Sequence, residues 1–353
     1  MEYIAFIKEL VEIITRESGS DLHLSEGRHP TIRVTGSLVP LTKMPVLTRE
    51  DTDAILKEIV VPEKLASFES RQELDFSYAP NPDARFRGNA FIQQGKIGIV
   101  MRLIPKNIKT LAELNVPEKL AEFARLKQGF FLVVGPVGQG KTTTLAALID
   151  MINNERAEHI ITIENPIEYV YNQKSSIVDQ REVGIDTDSF GQALVSTLRQ
   201  DVDVILVGEM RDRDTMAAAI TAAETGHLVF STLHTNNASQ TIDRIIDSFP
   251  AEQQDQIRLQ LSSSLSGIFS QRLLPRISGG LIPAFELLIN NNAVSNLIRE
   301  KRTHEIDTVI ETGTEQGMID MNRSLAELVR RGEISFDVAK SHSLNPQLLE
   351  RLI

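Results

Sequence analysis

The sequence predicts an α/β protein, with a parallel-sheet core preceded by a smaller α+β domain. Three observations predict it. The apolar run Phe130 to Val134 leads into a glycine-rich segment and then a helix-forming run. Downstream, short apolar strands recur, each ending in a polar residue, with segments of helical composition between them. Before Pro105, apolar and polar residues instead alternate in short stretches, as half-buried strands do.

The bulk numbers agree with a globular chain. Its 353 residues suit about two domains, and 41% hydrophobic with 24% charged residues is ordinary composition. There are no cysteines, so disulfides and cysteine-based zinc sites are excluded and a reducing compartment is the natural setting. The net charge of −11 argues against a nonspecific nucleic-acid binder, although a local basic channel stays open. No stretch approaches the roughly 18 consecutive apolar residues of a membrane span. Met1 to Arg16 is interrupted by Glu2, Lys8, Glu9 and Glu12, so it lacks the apolar core of a signal peptide. Ile4, Ile7, Val11 and Ile14 fall at helical spacing, which predicts an amphipathic helix packed on its own domain.

The first domain is expected over residues 1–104. After the helix, Leu22 and Leu24 alternate with Asp21, His23 and Ser25, and Ile32 and Val34 resume the alternation after a turn at Gly27 to Pro30. Thr48 can cap a helix running to about Val60, with Asp51 at its third position. Asp75 to Tyr78, Phe86 to Ile92 and Ile97 to Ile104 complete a small antiparallel sheet. Arg85, Arg87, Lys96 and Arg102 gather on the last strands. Two readings fit Arg102: an arginine facing solvent from an edge strand, or a guanidinium that meets a phosphate from another domain or subunit. A polar linker over residues 105–115 separates this domain from the second, over 116–353.

The second domain carries the chemistry. Gly135, Pro136, Val137, Gly138, Gln139, Gly140, Lys141, Thr142 and Thr143 fit G-x-x-x-x-G-K-[ST], with a buried strand before and a helix-forming run after. Glycines let backbone N–H groups curl around phosphate oxygens, and the helix N-terminus adds positive potential. Lys141 reaches the β- and γ-phosphates of a nucleotide and Thr142 offers a hydroxyl to Mg²⁺. His159 to Ile163 ends at Glu164, Val204 to Val207 at Gly208-Glu209, and Leu228 to Leu233 at His234. In open α/β sheets the site lies beyond the carboxyl ends of the strands, so these residues should gather around the γ-phosphate of ATP in a RecA-like P-loop core. Glu209 is expected to hold Mg²⁺ and Glu164 to orient or deprotonate the attacking water. Each carboxylate alone also fits a surface loop, and His234 alone an incidental histidine.

Taken together, D-V-D-V-I-L-V-G-E-M-R-D from Asp201, A-A-E-T-G-H-L-V-F-S-T-L-H-T from Ala222 and I-T-I-E-N-P-I-E from Ile161 resemble the type IV pilus retraction ATPases. These are the twitching-motility PilT family within the secretion ATPase superfamily, and the likeness runs nearly the full length. The resemblance implies a PAS-like N-terminal domain, a RecA-like motor domain with C-terminal helices, and a homohexameric ring with ATP between the two domains. It further implies phosphate-contacting Arg87 and Arg102, an acidic box at Glu164, a metal-binding Glu209, and a histidine box of His227 and His234. Gly95 stands where a middle arginine is usual; the adjacent Lys96 could supply charge but not a bidentate fork. Val137 and Gln139 replace Thr and Ser, and Asn165 replaces an aspartate. The sequence does not explain Val137 and Gln139. The family's A-I-R-N-L-I-R-E signature appears as Ala293, Val294, Ser295, Asn296, Leu297, Ile298, Arg299 and Glu300. It reads either as an ordinary packed helix or as a coupling element.

The expected function is a hexameric ATP-hydrolysing motor of pilus retraction and twitching motility. It would act in the cytoplasm against an inner-membrane pilus platform protein, with a paralogous retraction ATPase as a further partner and no nucleic acid. A retraction-accessory paralogue is the alternative, and a scaffold that binds nucleotide without turnover is another. A pilus-assembly or type II secretion ATPase fits less well, given zero cysteines and a short N-terminal region.

Overall fold

The computed structural model describes residues 2–34, 36–81, 84–104 and 107–353. Pro105 and Lys106 of the expected linker lie outside the described residues. The chain forms two compact units, and the first is not contiguous in sequence. It comprises Met1–Asn107 with two later segments, Asn165–Val170 and Glu182–Asp186.

In the first unit, helix α1 (Tyr3–Arg16) is followed by β1 (Asp21–Ser25), β2 (Thr31–Val34) and β3 (Ser37–Pro40), then helices α2 (Arg49–Ile59) and α3 (Pro62–Arg71). Strands β4 (Glu73–Asn81), β5 (Ala84–Gln93) and β6 (Lys96–Ile104) complete a six-stranded antiparallel sheet of order β3-β2-β1-β6-β5-β4. α1 forms because its apolar residues recur every three to four positions, and it buries Phe6, Ile7, Leu10, Val11 and Ile14. They share a core with Leu22, Leu24, Ile32, Phe76, Phe86 and Met101. At about 1.5–3 kcal/mol per fully buried side chain, this core outweighs any single polar contact of the unit. α2 starts at a capping box in which Thr48 and Asp51 satisfy each other's backbone donors. A buried ion pair ties the later segments in. Lys64 donates to Glu182 at 2.9 Å, and the other carboxylate oxygen of Glu182 accepts from Ser77 Oγ at 2.9 Å and from the Ile167 N–H at 3.1 Å.

The second unit is built on a seven-stranded sheet. Its elements are α4 (Leu120–Ala124), β7 (Gly129–Val134), α5 (Lys141–Glu155), β8 (His159–Glu164), β9 (Ile177–Glu182), α6 (Phe190–Thr197), β10 (Val204–Val207), α7 (Arg213–Glu224) and β11 (Leu228–Leu233). They continue with α8 (Ala238–Asp247), α9 (Ala251–Ser264), β12 (Leu265–Pro275), β13 (Leu281–Ile289), α10 (Asn292–Arg299), α11 (Ile306–Thr312), α12 (Met321–Arg330), α13 (Phe336–His342) and α14 (Pro346–Leu352). The sheet order is β13-β12-β7-β11-β10-β8-β9. β12, β7, β11, β10 and β8 run parallel, and β13 returns antiparallel to β12. Every residue of β7, β10 and β11 is buried, which is why these strands read as unbroken apolar runs rather than alternations. Helices α6, α7, α8 and α10 begin where Ser189, Asp212, Asn237 and Asn291 accept a backbone N–H from three residues on. Because the central strands are parallel and in register, their carboxyl ends bring Gly135, Glu164, Gly208 and His234 to one edge of the sheet.

Candidate functional site

The glycine-rich loop leaves β7 at Gly135 and enters α5 at Lys141. Gly135 has φ +147°, and a Cβ there would lie 2.5 Å from the Gln271 carbonyl oxygen, so only glycine fits. Gly140 takes a left-handed conformation, φ +79°, that turns the chain into the helix. Lys141 is 7% exposed, and its ammonium donates to the carbonyls of Gly135 at 2.8 Å and Pro136 at 2.9 Å. Burial pulls its pKa down to about 8, against the opposing pull of Glu209. A cation held at such a cost in solvation gains by meeting a phosphate anion. Val137 is exposed at the tip of the loop.

Gln139 holds the loop to its neighbour strand: its Oε1 accepts the Leu273 N–H at 2.6 Å and its own carbonyl accepts from Gln271 Nε2 at 2.7 Å. Gln271 and Leu273 lie on β12, which the sequence reading did not single out. A signal was present, since Ser270, Gln271 and Arg272 interrupt the apolar run Ile268 to Leu274.

His234, at the end of β11, links the loop to the acidic strand. Its Nδ1 lies 3.2 Å from Lys141 Nζ, and its Nε2 lies 3.6 Å from Glu209 Oε2. Burial and the Lys141 charge lower its pKa below the ordinary histidine value, so the ring is mostly neutral at pH 7. A neutral ring protonated at Nε2 accepts from Lys141 and points its N–H toward Glu209. Glu209 also pairs with Arg211 at 2.8 Å. Glu164, 5% exposed, accepts at Oε1 from Thr162 Oγ1 at 2.7 Å and Gln180 Nε2 at 3.2 Å. The adjacent Asn165 is exposed and its bond to Pro166 is cis. Thr142 and Thr143 follow Lys141 in the first turn of α5. Among the described residues no cluster of three or more His, Asp or Glu forms a ready-made metal site. One hydroxyl and one carboxylate, Thr142 and Glu209, suit a magnesium ion that takes its other ligands from phosphate and water.

Not every expected residue joins this group. His227 precedes β11, and its Nδ1 lies 2.9 Å from the Ala222 carbonyl oxygen. The six residues of β11 between them make seven steps, which put it about 23 Å from His234, at the opposite end of the strand. Arg87 and Arg102 belong to the first unit, where they stand directly opposite each other on β5 and β6. β6 is interior, between β1 and β5, so Arg102 is not on an edge strand, although it does face solvent as that reading expected. Its side chain is 66% exposed and donates to Asp21 at 2.8 Å, while Arg87 pairs with Glu168 at 2.9 Å. Lys96 pairs with Glu26 at 3.1 Å, beside the left-handed turn that Gly95 makes. In α10, Val294, Leu297 and Ile298 are buried, as in a packed helix. Ser295 Oγ donates to the Ser262 carbonyl, and Ala293, Asn296, Arg299 and Glu300 remain exposed.

The chain matches a family model described as "Type II/IV secretion system protein" over residues 2–330. It is 44% identical to the type IV pilus retraction ATPase PilT of Pseudomonas aeruginosa over 97% of this chain and 99% of that protein. It is 41% identical to the type IV pilus ATPase PilU of the same organism, over 95% of this chain and 88% of that one. A crystal structure of the pilus retraction motor PilT with bound ADP superposes with a TM-score of 0.90 at 45% identity, covering 97% of this chain and 98% of the other. The chain belongs to the type II/IV secretion system protein family.

Proposed function

We propose that the chain is a cytoplasmic ATP-hydrolysing motor of type IV pilus retraction. The convergence of Lys141, Glu209 and His234 on the glycine-rich loop carries the hydrolytic part of this reading. The similarity to PilT over nearly the whole of both chains supports the assignment to retraction. The loop's backbone N–H groups and Lys141 bind the β- and γ-phosphates of ATP. Glu164 orients water and accepts its proton as the water oxygen attacks the γ-phosphorus, and the bond to the β–γ bridging oxygen breaks to leave ADP and phosphate. Glu209 and Thr142 would hold Mg²⁺, which supplies charge neutralisation on the phosphates. Neutral His234 stands between Lys141 and Glu209, placed to report the presence of the γ-phosphate to the acidic strand.

The working form is a homohexamer that acts on a platform protein of the inner membrane and does not engage nucleic acid. Among the described residues no helix is long and apolar enough to cross a membrane, which fits peripheral attachment. Lys141→Ala tests the enzyme assignment: phosphate release should fall to background, and turnover near that of the parent protein would refute it. The 41% identity to PilU favours a second reading, an accessory retraction ATPase. Restoration of twitching by this chain alone, in a strain lacking its retraction ATPase, would exclude that reading.

A further inference from the structure

Four consecutive residues of β12 reach two different loops of the candidate site. Side chains alternate across a strand, so Ser270 and Arg272 share one face and Gln271 the other. On the first face, Ser270 Oγ donates to the Asn236 carbonyl at 2.8 Å, and Arg272 Nη2 lies 3.0 Å from Asn236 Oδ1. Asn236 is two residues beyond His234, in the turn that joins β11 to α8. On β13, Glu286 lies opposite Ser270 and accepts the Ala238 N–H at 2.8 Å, fixing the far end of the same turn.

On the other face, Gln271 is 3% exposed and bridges two parts of the phosphate loop. Its Nε2 donates to the Gln139 carbonyl at 2.7 Å, and its Oε1 accepts from Thr144 Oγ1, in the first turn of α5, at 2.7 Å. The Leu273 N–H, next along the strand, donates to Gln139 Oε1. A serine at position 139 is too short to reach that N–H, which gives the glutamine there a purpose.

We propose that Gln271 and Arg272 are positioning residues that lock the phosphate loop and the His234 turn to one rigid strand, with Gln139 as the loop's own half of the lock. The inference rests on the hydrolytic reading of the site and adds a division of labour to it. Gln271 sets the backbone N–H groups that hold phosphate, so it governs nucleotide binding. Arg272 sets the turn that carries His234, so it governs turnover. The Gln271–Thr144 bond is buried and the bonds of Ser270, Gln271 and Leu273 are half-buried, and β12 has neighbours on both sides, so these cannot relax without moving the sheet; the Arg272–Asn236 bond is exposed and adds to the Ser270 bond on the same turn.

The test uses the full chain and the variants Gln271→Met and Arg272→Met, with ADP titration, steady-state phosphate release and thermal unfolding. In Gln271→Met, the Kd for ADP and the KM for ATP should each rise about tenfold, with kcat within about twofold. In Arg272→Met, kcat should fall about tenfold, with KM within about twofold. Parallel changes of kcat and KM in both variants would overturn the proposal, as would a lower melting temperature with unaltered kinetics. If Gln271→Met does not fold, Gln139→Ser serves instead: a weaker rise in the Kd for ADP supports the lock, and an unchanged Kd overturns it. The ADP titration reads the lock without turnover. Background phosphate release by the parent chain, with the ADP pattern intact, would therefore sink the motor assignment and not this one.

Discussion

Replacing Glu164 with glutamine separates the water-handling role from every other role of this side chain. The carboxyl group is 5% exposed, and Oε1 accepts hydrogen bonds from Thr162 Oγ1 at 2.7 Å and Gln180 Nε2 at 3.2 Å. Glutamine has the same shape, and its amide oxygen can accept both bonds. The end of β8 should therefore hold its geometry, and stability should change by no more than about 1 kcal/mol. What is lost is the negative charge and, with it, the ability to accept a proton. General-base catalysis contributes about 10²- to 10⁴-fold, or roughly 2.7–5.5 kcal/mol of barrier. Phosphate release by Glu164→Gln should fall at least about a hundredfold, while ATP affinity stays within several-fold of the parent. The variant should retain ATP unhydrolysed after rapid gel filtration. Turnover within about fivefold of the parent would refute the assignment and move the water to Glu209.

Three further outcomes are expected. Glu182→Gln leaves the Lys64 ammonium, 8% exposed, without its counter-charge, and should destabilise the first unit by about 3–5 kcal/mol in urea unfolding; the double variant Lys64→Met/Glu182→Gln removes the orphaned charge and keeps an acceptor for Ser77 and Ile167, so it should recover part of that, and a single-variant loss under about 0.5 kcal/mol would refute a buried ion pair. Burial pushes Glu286 up to about 8, so the folded state holds its proton more tightly than the unfolded chain does. The associated stability is full below the ordinary glutamate value of 4.5 and is lost as pH rises through about 8, and Glu286→Gln should flatten that fall in denaturation curves. Arg102→Ala strips a partner from Asp21, whose side chain is 6% exposed, at about 1–2 kcal/mol. Its turnover should fall at least about tenfold, as for an arginine that stabilises transferring phosphate, and unchanged turnover would leave Arg102 a purely structural residue.

The legible parts of this molecule are those in which one residue pattern answers to one local cause. β7, β10 and β11 are buried on both faces, so they appear as apolar runs, and the glycine loop is recognisable because β7 and α5 flank it. The gathering of Lys141, Glu209 and His234 followed from a rule about parallel strands. β3 escaped notice because all four of its residues are exposed, leaving no alternation. α3 buries only Lys64 and Phe68, too few for a periodic stripe. The Lys64–Glu182 pair joins residues 118 apart in sequence, which no local pattern can reveal. The sequence left Arg102 open between an edge-strand residue facing solvent and a phosphate contact, because sequence order does not fix spatial order: β6 comes last of its sheet in sequence, and in space it lies between β1 and β5. Gln139 looked anomalous beside a family that prefers serine, and its reason lies on β12, more than a hundred residues away.

The central claim is that the loop from Gly135 to Thr143 is one wall of a working ATPase. Phosphate release by the purified full chain with magnesium and ATP, measured on material whose mass is read by light scattering, tests it most directly. The account predicts release well above background from a six-chain particle, abolished by Lys141→Ala. Background release from well-folded protein that binds ADP would contradict it and leave a nucleotide-binding scaffold in its place.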